Sequence, residues 1–180
     1  INIQFLKSVK KICNKFNCIL IFDECTSGFR EHIGGVHMKH NIYPDIATFG
    51  KAMGNGFPIT GLVANENLRK NSEKAFISST NWSDRIGFVA ANKTIDIMKK
   101  VKSNEILIKL HNNFCKTIKI IAKKNKLKLN IIGLVGIPVL NFIDCDNDLI
   151  KNFITQEMLK KNILASNSIY LSIFHNKKSM

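Results

Sequence analysis

Apolar and polar positions alternate along this chain with the periods of helices and strands. At the start, apolar residues fall three or four positions apart: Ile3, Leu6, Val9, Cys13 and Phe16. This spacing predicts an amphipathic helix whose intervening lysines form a solvated face. The next apolar run, 18–22, is short, unbroken and rich in β-branched and aromatic side chains. It predicts a strand covered on both faces, as in a parallel sheet.

The same two patterns continue downstream. Helical spacing recurs over four ranges: 66–70, 86–101, 105–124 and 149–161. In the two longest, the predicted buried sides are Ala90, Ala91, Ile95 and Met98, and then Ile106, Leu110, Phe114, Thr117 and Ile121. Strands are predicted at 59–64, as a pair around a glycine turn within 127–143, and at 169–174.

The strand at 18–22 ends in two acids, Asp23 and Glu24. Carboxylates at this end of a strand lie where open α/β sheets bind their ligands, because the strand ends and the following loops form a crevice there. The alternative is that one acid caps the following turn while the other is solvated.

Lys51 lies between glycines, after Gly50 and before Gly54 and the turn-forming pair Asn55-Gly56. Glycines allow tight turns and a close approach to a ligand, so the sequence presents Lys51 on a loop. In a desolvated pocket a lysine is more readily neutral, and only the neutral amine attacks a carbonyl to form a Schiff base. An ordinary surface lysine is the alternative.

A strand-end acid and a lysine on a glycine-bracketed loop are together what a pyridoxal phosphate enzyme requires. The lysine holds the cofactor through a Schiff base, and the carboxylate pairs with the pyridine nitrogen. That carboxylate keeps the nitrogen protonated, so the ring accepts electrons when a bond to the substrate α-carbon breaks.

The stretches LIFDECTSGFR and YPDIATFGKAMGNGFPITGLVA resemble the class III pyridoxal-phosphate aminotransferases, most closely the branch of glutamate-1-semialdehyde 2,1-aminomutase. The resemblance implies that Lys51 is the Schiff-base lysine and Asp23 the catalytic partner of the pyridine nitrogen. It also implies that Cys25, where the family usually has valine, packs on the cofactor ring. Thr26 replaces a glutamine that many members carry, and it is not assigned to the site.

Hydroxyl residues cluster at Ser78, Ser79 and Thr80, before the helix predicted at 86–101. As a bare pattern they predict an N-cap. The resemblance implies more: Thr80 corresponds to a threonine that reaches the cofactor phosphate of the neighbouring subunit. It therefore implies a homodimer with shared active sites.

The resemblance also implies the fold and the reaction. The fold is α/β, of the aspartate-aminotransferase-like fold type I, with a mixed, mostly parallel sheet between helices. Residues 1–103 then form the carboxyl-side half of the large cofactor-binding domain, and 104–180 part of a small α+β carboxyl-terminal domain. The implied activity is transfer of an amino group of a small amino compound, as a transaminase or an aminomutase, with donor and acceptor left open. We expect a part of a longer enzyme, weak or inactive by itself.

The composition indicates which functional classes other than an enzyme are possible. The 180 residues carry a net charge of +14, which would suit a nucleic-acid ligand. The lysines, however, are dispersed among asparagine and isoleucine and form no basic stripe with aromatics, so we expect no nucleic-acid binding. The alternative to an enzyme is a non-catalytic fragment or basic binding module that retains the aminotransferase fold.

Cysteine, histidine and hydropathy patterns predict a cytoplasmic protein without a metal. The five cysteines show no CxxC spacing, and three lie in apolar runs, which predicts buried, reduced thiols. His32, His37 and His40 lie near Glu31 but match no zinc spacing. No signal-peptide pattern is visible, and the longest apolar stretch, 131–143, is too short to span a bilayer.

Overall fold

The computed structural model describes residues 2–175; residue 1 and residues 176–180, which fall within the two expected domains, lie outside the described part. Two compact units divide the chain, Ile1–Asn104 and Glu105–Met180. In chain order the elements are α1 (Ile3–Lys15), β1 (Ile21–Asp23), α2 (Val36–His40), β2 (Ile46–Phe49), a 3-10 helix (Lys51–Met53), β3 (Gly61–Ala64), α3 (Glu66–Ser72), α4 (Arg85–Val101), α5 (Ser103–Lys124), β4 (Leu129–Leu134), β5 (Ile137–Phe142) and α6 (Asn147–Leu159).

The first unit is built on a mixed three-stranded sheet in the order β1-β2-β3. Strands β1 and β2 are parallel, with Asp23 opposite Thr48, and β2 and β3 are antiparallel. Parallel strands end at the same edge of a sheet. Asp23, Glu24 and the residues that follow Phe49 are therefore brought to one edge.

The core of the first unit lies between the end of β2, the 3-10 helix and α4. Its fully buried members are Phe29, Ala47, Phe49, Met53 and Ala91. Helix α4 approaches the loop after the 3-10 helix so closely that a Cβ at Gly87 would lie 2.9 Å from the carbonyl oxygen of Pro58. The segment that carries Lys51 is thus held between a strand and a helix.

The predicted face of α4 is confirmed, but its predicted cap is wrong. Ala91 is buried and Ala90, Ile95 and Met98 are half-buried, whereas the lysines of this helix face outward. The N-cap is Asp84, which accepts a hydrogen bond from the Ile86 amide at 2.9 Å. A carboxylate directly before the first turn reaches the free amides there, which the more distant hydroxyl cluster does not.

The expectation of a strand covered on both faces is wrong for β1. The regular strand is only Ile21–Asp23, and Ile19 and Ile21 are 56% and 55% exposed. Within residues 2–175, β1 pairs only with β2 and is therefore an edge strand of this sheet. The preceding helix α1 is amphipathic as predicted, with Ile3, Leu6, Val9 and Cys13 half-buried, but Phe16 is exposed.

The second unit contains α5, an antiparallel hairpin of β4 and β5, and α6. The predicted pair of strands around a glycine turn is confirmed, with Gly136 at φ +81°. Of the predicted α5 stripe, Ile106, Leu110 and Phe114 are half-buried, but Thr117 and Ile121 are exposed. The buried apolar positions of this helix are instead Leu107 and Ala122.

The strand predicted at 169–174 is not formed. This segment follows β5 through separate backbone hydrogen bonds, from Ile169 to the Pro138 oxygen at 3.0 Å and from Leu171 to the Gly136 oxygen at 2.9 Å. The β-bridge recorded at this point pairs Val139 with Ser168. The segment at 169–174 therefore runs beside β5 and is hydrogen-bonded to it, but it does not form a regular strand.

The expectation of buried thiols is also wrong. All five cysteines are free; Cys18 and Cys145 are exposed, and Cys13, Cys25 and Cys115 are half-buried. Burial raises the pKa of the Cys115 thiol. Between residues 2 and 175, no helix is long and apolar enough to cross a membrane.

Candidate active site

Asp23 presents a fixed negative charge at the end of β1. Its Oδ1 accepts hydrogen bonds from the Cys25 amide at 3.0 Å and from the Thr48 hydroxyl at 3.2 Å. These bonds, chiefly the one from the Cys25 backbone, lower the pKa of Asp23, and the positive charge of Lys51 adds to the shift. Asp23 thus caps the following turn and also stands at the exposed edge of the sheet as an ionised carboxylate.

Lys51 follows β2 at the same edge. It opens the 3-10 helix in the left-handed region, at φ +43°, and its Nζ donates a hydrogen bond to the Thr26 hydroxyl. Its side chain is exposed, so the desolvated pocket expected for this lysine is not present in the chain as described. The structure nevertheless brings Lys51 close enough to Asp23 for its charge to act on that carboxylate.

Cys25 follows Asp23 in the turn after β1 and packs beside the end of β2. Its Sγ is 3.8 Å from the Thr48 hydroxyl, and a Cβ at Gly50 would lie 3.5 Å from the same sulfur. Gly50 therefore lets the backbone leading to Lys51 pass close to the thiol. A soft, half-buried sulfur at this point offers an apolar surface to a flat ligand.

Thr80 and Lys51 line one cavity of about 800 Å³ in the first unit. Its walls are formed by Lys51, by 56–60, by 77–82 and by Phe88. The stretch that contains Thr80 is exposed and also presents the hydroxyls of Ser78 and Ser79. Asp23 and Cys25 do not line this cavity. Lys51 therefore lies near Asp23 at the edge of the sheet, and it shares the cavity with Thr80.

Three residues near this edge were not predicted as site residues: Glu24, Thr26 and Thr48. Thr48 follows from the sheet register, because it is the partner of Asp23 across β1 and β2. Thr26 contacts Lys51 because the turn after β1 places its side chain there, and the sequence does not specify the path of that turn. The nearest signal was the position of Thr26 three residues after Asp23, in the stretch that carries the family resemblance.

Glu24 is 2% exposed, so the interpretation of a solvated acid is wrong for this residue. Its carboxylate accepts hydrogen bonds from the Ser27 hydroxyl and, at 3.0 Å, from the His37 amide, and it lies 3.0 Å from His37 Nδ1. Burial raises the pKa of Glu24, but these hydrogen bonds outweigh it, and the net pKa is lowered. His37 is thereby engaged with Glu24, and the described residues contain no group of three or more side chains that would hold a metal.

The chemistry of this edge defines what it can hold. The hydroxyl stretch at 78–80 offers donors to an anionic group, either of a ligand bound by this chain or of one bound by a second copy of it. At the sheet edge itself, a fixed carboxylate matches a protonated ring nitrogen and a primary amine matches an aldehyde. One ligand that satisfies these two groups carries a basic ring and an aldehyde. The residues present fit such a group.

Sequence comparisons agree with this chemistry. A family model described as aminotransferase class III matches residues 2–168. The 3-aminobutyryl-CoA aminotransferase of Cloacimonas acidaminovorans (strain Evry) is 30% identical over 173 residues, which cover 96% of this chain and 41% of that protein. The glutamate-1-semialdehyde 2,1-aminomutase of Wigglesworthia glossinidia brevipalpis is 28% identical, over 98% of this chain and 45% of that protein.

Solved structures show the same fold. The FumI protein of Sphingopyxis sp. MTA144, in its pyridoxal-phosphate internal aldimine form, superposes with a TM-score of 0.90 at 22% identity, over 99% of this chain and 44% of that one. Ornithine aminotransferase of Plasmodium yoelii gives a TM-score of 0.79 at 23% identity, over 97% of this chain and 48% of that one. The chain therefore has part of the α/β transaminase fold, and it spans less than half the length of these relatives.

Proposed function

The chain belongs to the class III aminotransferase family, whose model matches residues 2–168, and on that basis we propose that it is the lysine-bearing part of a pyridoxal-phosphate-dependent enzyme that moves an amino group. The observation that carries the proposal is the presence of Asp23 and Lys51 at one sheet edge, within electrostatic reach of each other. The two curated relatives are named for amino-group transfer, and the FumI structure is described with pyridoxal phosphate.

Three residues have defined roles in this proposal. Lys51 would hold the cofactor through its amine at the aldehyde carbon and, once released from it, would carry a proton to or from the substrate α-carbon. Asp23 keeps the ring nitrogen protonated, because an ionised carboxylate favours a positive charge beside it, and the hydrogen bonds that lower the pKa of Asp23 keep it ionised in acid as well. Cys25 packs on the ring face. The bound cofactor supplies the electron sink that makes the substrate carbon acidic.

We further propose that the two compact units correspond to parts of the enzyme's two domains. The first unit, which contains the sheet, Asp23 and Lys51, is assigned to the carboxyl-side half of the cofactor-binding domain. The second, with its helix, hairpin and helix, is assigned to the small carboxyl-terminal domain. A partial match is consistent with this assignment, since the chain covers 41% and 45% of the two curated relatives.

The role of Lys51 is tested by trapping the cofactor. The chain is mixed with increasing pyridoxal phosphate, reduced with borohydride and digested, and the labelled peptides are identified by mass spectrometry. We expect a visible absorption band and a label concentrated on Lys51; Lys51→Ala should lose both, while the control Lys70→Ala, at an exposed lysine of α3, should keep both. A label spread evenly over the lysines would refute the assignment.

Thr80 is proposed to bind the cofactor phosphate of the neighbouring subunit, which requires a homodimer. A mixing experiment tests this directly with Lys51→Ala and Thr80→Ala chains. If Thr80 acts across subunits, each mixed dimer contains one site with both groups intact, so cofactor retention returns to about half of the wild-type value in the isolated mixed dimer and about a quarter in a randomly paired mixture. If it acts within its own chain, every site in the mixture lacks one group and mixing restores nothing.

The substrate is proposed to be a small amino compound. The curated relatives include a transaminase and an aminomutase, and the two reactions leave different products. A transaminase releases a carbonyl compound and needs a second substrate to accept the amino group, whereas an aminomutase returns an isomer of the compound it received. Mass spectrometry of the product with and without an added keto acid distinguishes the two.

A further inference from the structure

Thr26 touches the one amine on which the proposed function depends. Its hydroxyl accepts a hydrogen bond from Lys51 Nζ across 25 residues of sequence. We propose that Thr26 is the positioning residue of Lys51, a side chain that directs this amine toward the incoming aldehyde. The inference rests on the proposed role of Lys51 and adds to it a residue that the family pattern left unassigned.

The Thr26 side of this contact is held rigidly. The turn that carries it is closed by a hydrogen bond from the Gly28 amide to the Glu24 oxygen at 2.7 Å. A Cβ at Gly28 would lie 2.6 Å from that same oxygen and 2.9 Å from Phe49, so the turn packs directly on the core. The carbonyl of Thr26 accepts a further bond from Arg30 Nε at 2.7 Å. The hydroxyl therefore projects from a fixed backbone.

The Lys51 side is fixed as well. Its backbone adopts φ +43°, a region that residues with a Cβ rarely occupy and that concentrates at functional sites. Gly50, immediately before it, is buried against Cys25, and Phe49 packs on Phe29 with ring centroids 5.5 Å apart. The first atoms of the lysine side chain thus leave the backbone in one direction, and only its long, flexible end needs a partner.

A hydroxyl suits this partner role in both protonation states of the amine. Its oxygen accepts a hydrogen bond from the ammonium and equally from an N–H of the neutral amine, so it holds the nitrogen after a proton has left while the lone pair stays free for the aldehyde. A reacting amine that is oriented in advance loses less freedom when it meets the aldehyde. If Thr26 only filled space, the reaction of Lys51 with the aldehyde would not depend on the Thr26 oxygen, and this difference can be measured.

The experiment compares variants of the whole 180-residue chain that differ by one oxygen atom. Thr26→Ser keeps the hydroxyl and Thr26→Ala removes it from the same shortened side chain, while Thr26→Val removes it and keeps the branched shape. Thr94→Val, at a half-buried threonine of α4, is the control. The readout is the rate at which pyridoxal phosphate is trapped by borohydride on Lys51, relative to other lysines and over a range of pH, with circular dichroism to compare folding.

We expect Thr26→Ala and Thr26→Val to trap about three- to tenfold less cofactor on Lys51, the effect of one hydrogen bond, and to change the pH profile of trapping. Thr26→Ser and Thr94→Val should stay within about twofold of wild type. If Thr26→Val does not fold, the Ser and Ala pair still decides. Equal trapping by Ser and Ala variants, at every pH, would overturn the inference. A wild-type chain that shows no preference for Lys51 would instead overturn the proposed function.

Discussion

The buried carboxylate of Glu24 gives the sharpest prediction about stability. Its side chain, 2% exposed, accepts from the Ser27 hydroxyl and the His37 amide and contacts the His37 ring, so it joins residues that lie up to thirteen positions away. We consider Glu24→Gln, which keeps the shape of the side chain and removes its charge. The remaining oxygen can still serve His37, and the new amide group can donate to the Ser27 hydroxyl.

The expected loss follows from the kind of hydrogen bond that remains. Bonds to a charged group contribute about 1.5–3 kcal/mol each and neutral ones about 0.5–1.5 kcal/mol, whereas removing the charge also removes the cost of burying it. Because no partner is left unpaired, we expect Glu24→Gln to lower the free energy of unfolding by roughly 1–2 kcal/mol. Glu24→Ala leaves the His37 amide without its acceptor, and we expect it to cost roughly 3–5 kcal/mol.

The dependence on pH provides the decisive test. The pKa of Glu24 in the folded protein lies below its usual 4.5, so the stabilisation by its charge is complete above that value and is lost as the pH falls through the lower, folded pKa. Urea unfolding followed by circular dichroism should therefore show the largest difference between wild type and Glu24→Gln at neutral pH. The difference should shrink in acid.

The matched control is Glu66→Gln, because Glu66 is exposed and pairs with Arg69 on the surface of α3. An exposed pair is screened by water and salt, so this change should alter stability far less. A difference between wild type and Glu24→Gln that is absent at neutral pH, or that persists unchanged in acid, would refute the reasoning about Glu24.

Three further predictions concern the site and the two units. Asp23→Asn should weaken cofactor binding roughly tenfold, measured by titrating the visible band, because an amide does not hold the ring nitrogen protonated. Gly35→Ala should destabilise the chain by roughly 2–4 kcal/mol in urea unfolding, since Gly35 has φ +107° and a Cβ there would lie 2.8 Å from Glu24 Oε1. Asp146→Ala should cost about 1 kcal/mol in the same assay by removing the N-cap of α6; unchanged values would contradict each.

The relation between Asp23 and Lys51 was expected from the family resemblance and from the glycines around Lys51, which indicate a turn. The strand that leads to Lys51, β2, was not predicted from the apolar pattern. Its parallel pairing with β1 is what brings the strand ends, and the residues after them, to one edge. The partners of Glu24 and Lys51 were not predictable in the same way. They depend on the path of residues 25–41, which is set by packing of Phe29 on Phe49 and by Gly28 and Gly35.

The helices and strands likewise divide into those set by local sequence, which were predicted, and those that depend on distant neighbours, which were not. Periodic helices such as α4 were predicted within one or two residues, because their apolar spacing is a local feature. The exposure of Ile19 and Ile21 was not, since an apolar run records a preference for burial without identifying the segment that provides it. The segment at 169–174 failed for a related reason: its hydrogen bonds to Pro138 and Gly136 depend on a neighbour far away in sequence.

The turn from Glu24 to Gly28 affects both the stability of the protein and the position of the Lys51 amine. Glu24 fixes that turn twice, through its side chain on Ser27 and His37 and through its carbonyl oxygen on the Gly28 amide, and Thr26 lies between these anchors. A loosened turn has more positions for the Thr26 hydroxyl, and therefore fewer chains in which that hydroxyl meets Lys51. Glu24→Gln should then lower trapping on Lys51 in the wild-type background and have little further effect in Thr26→Ala, because the contact it supports is already lost.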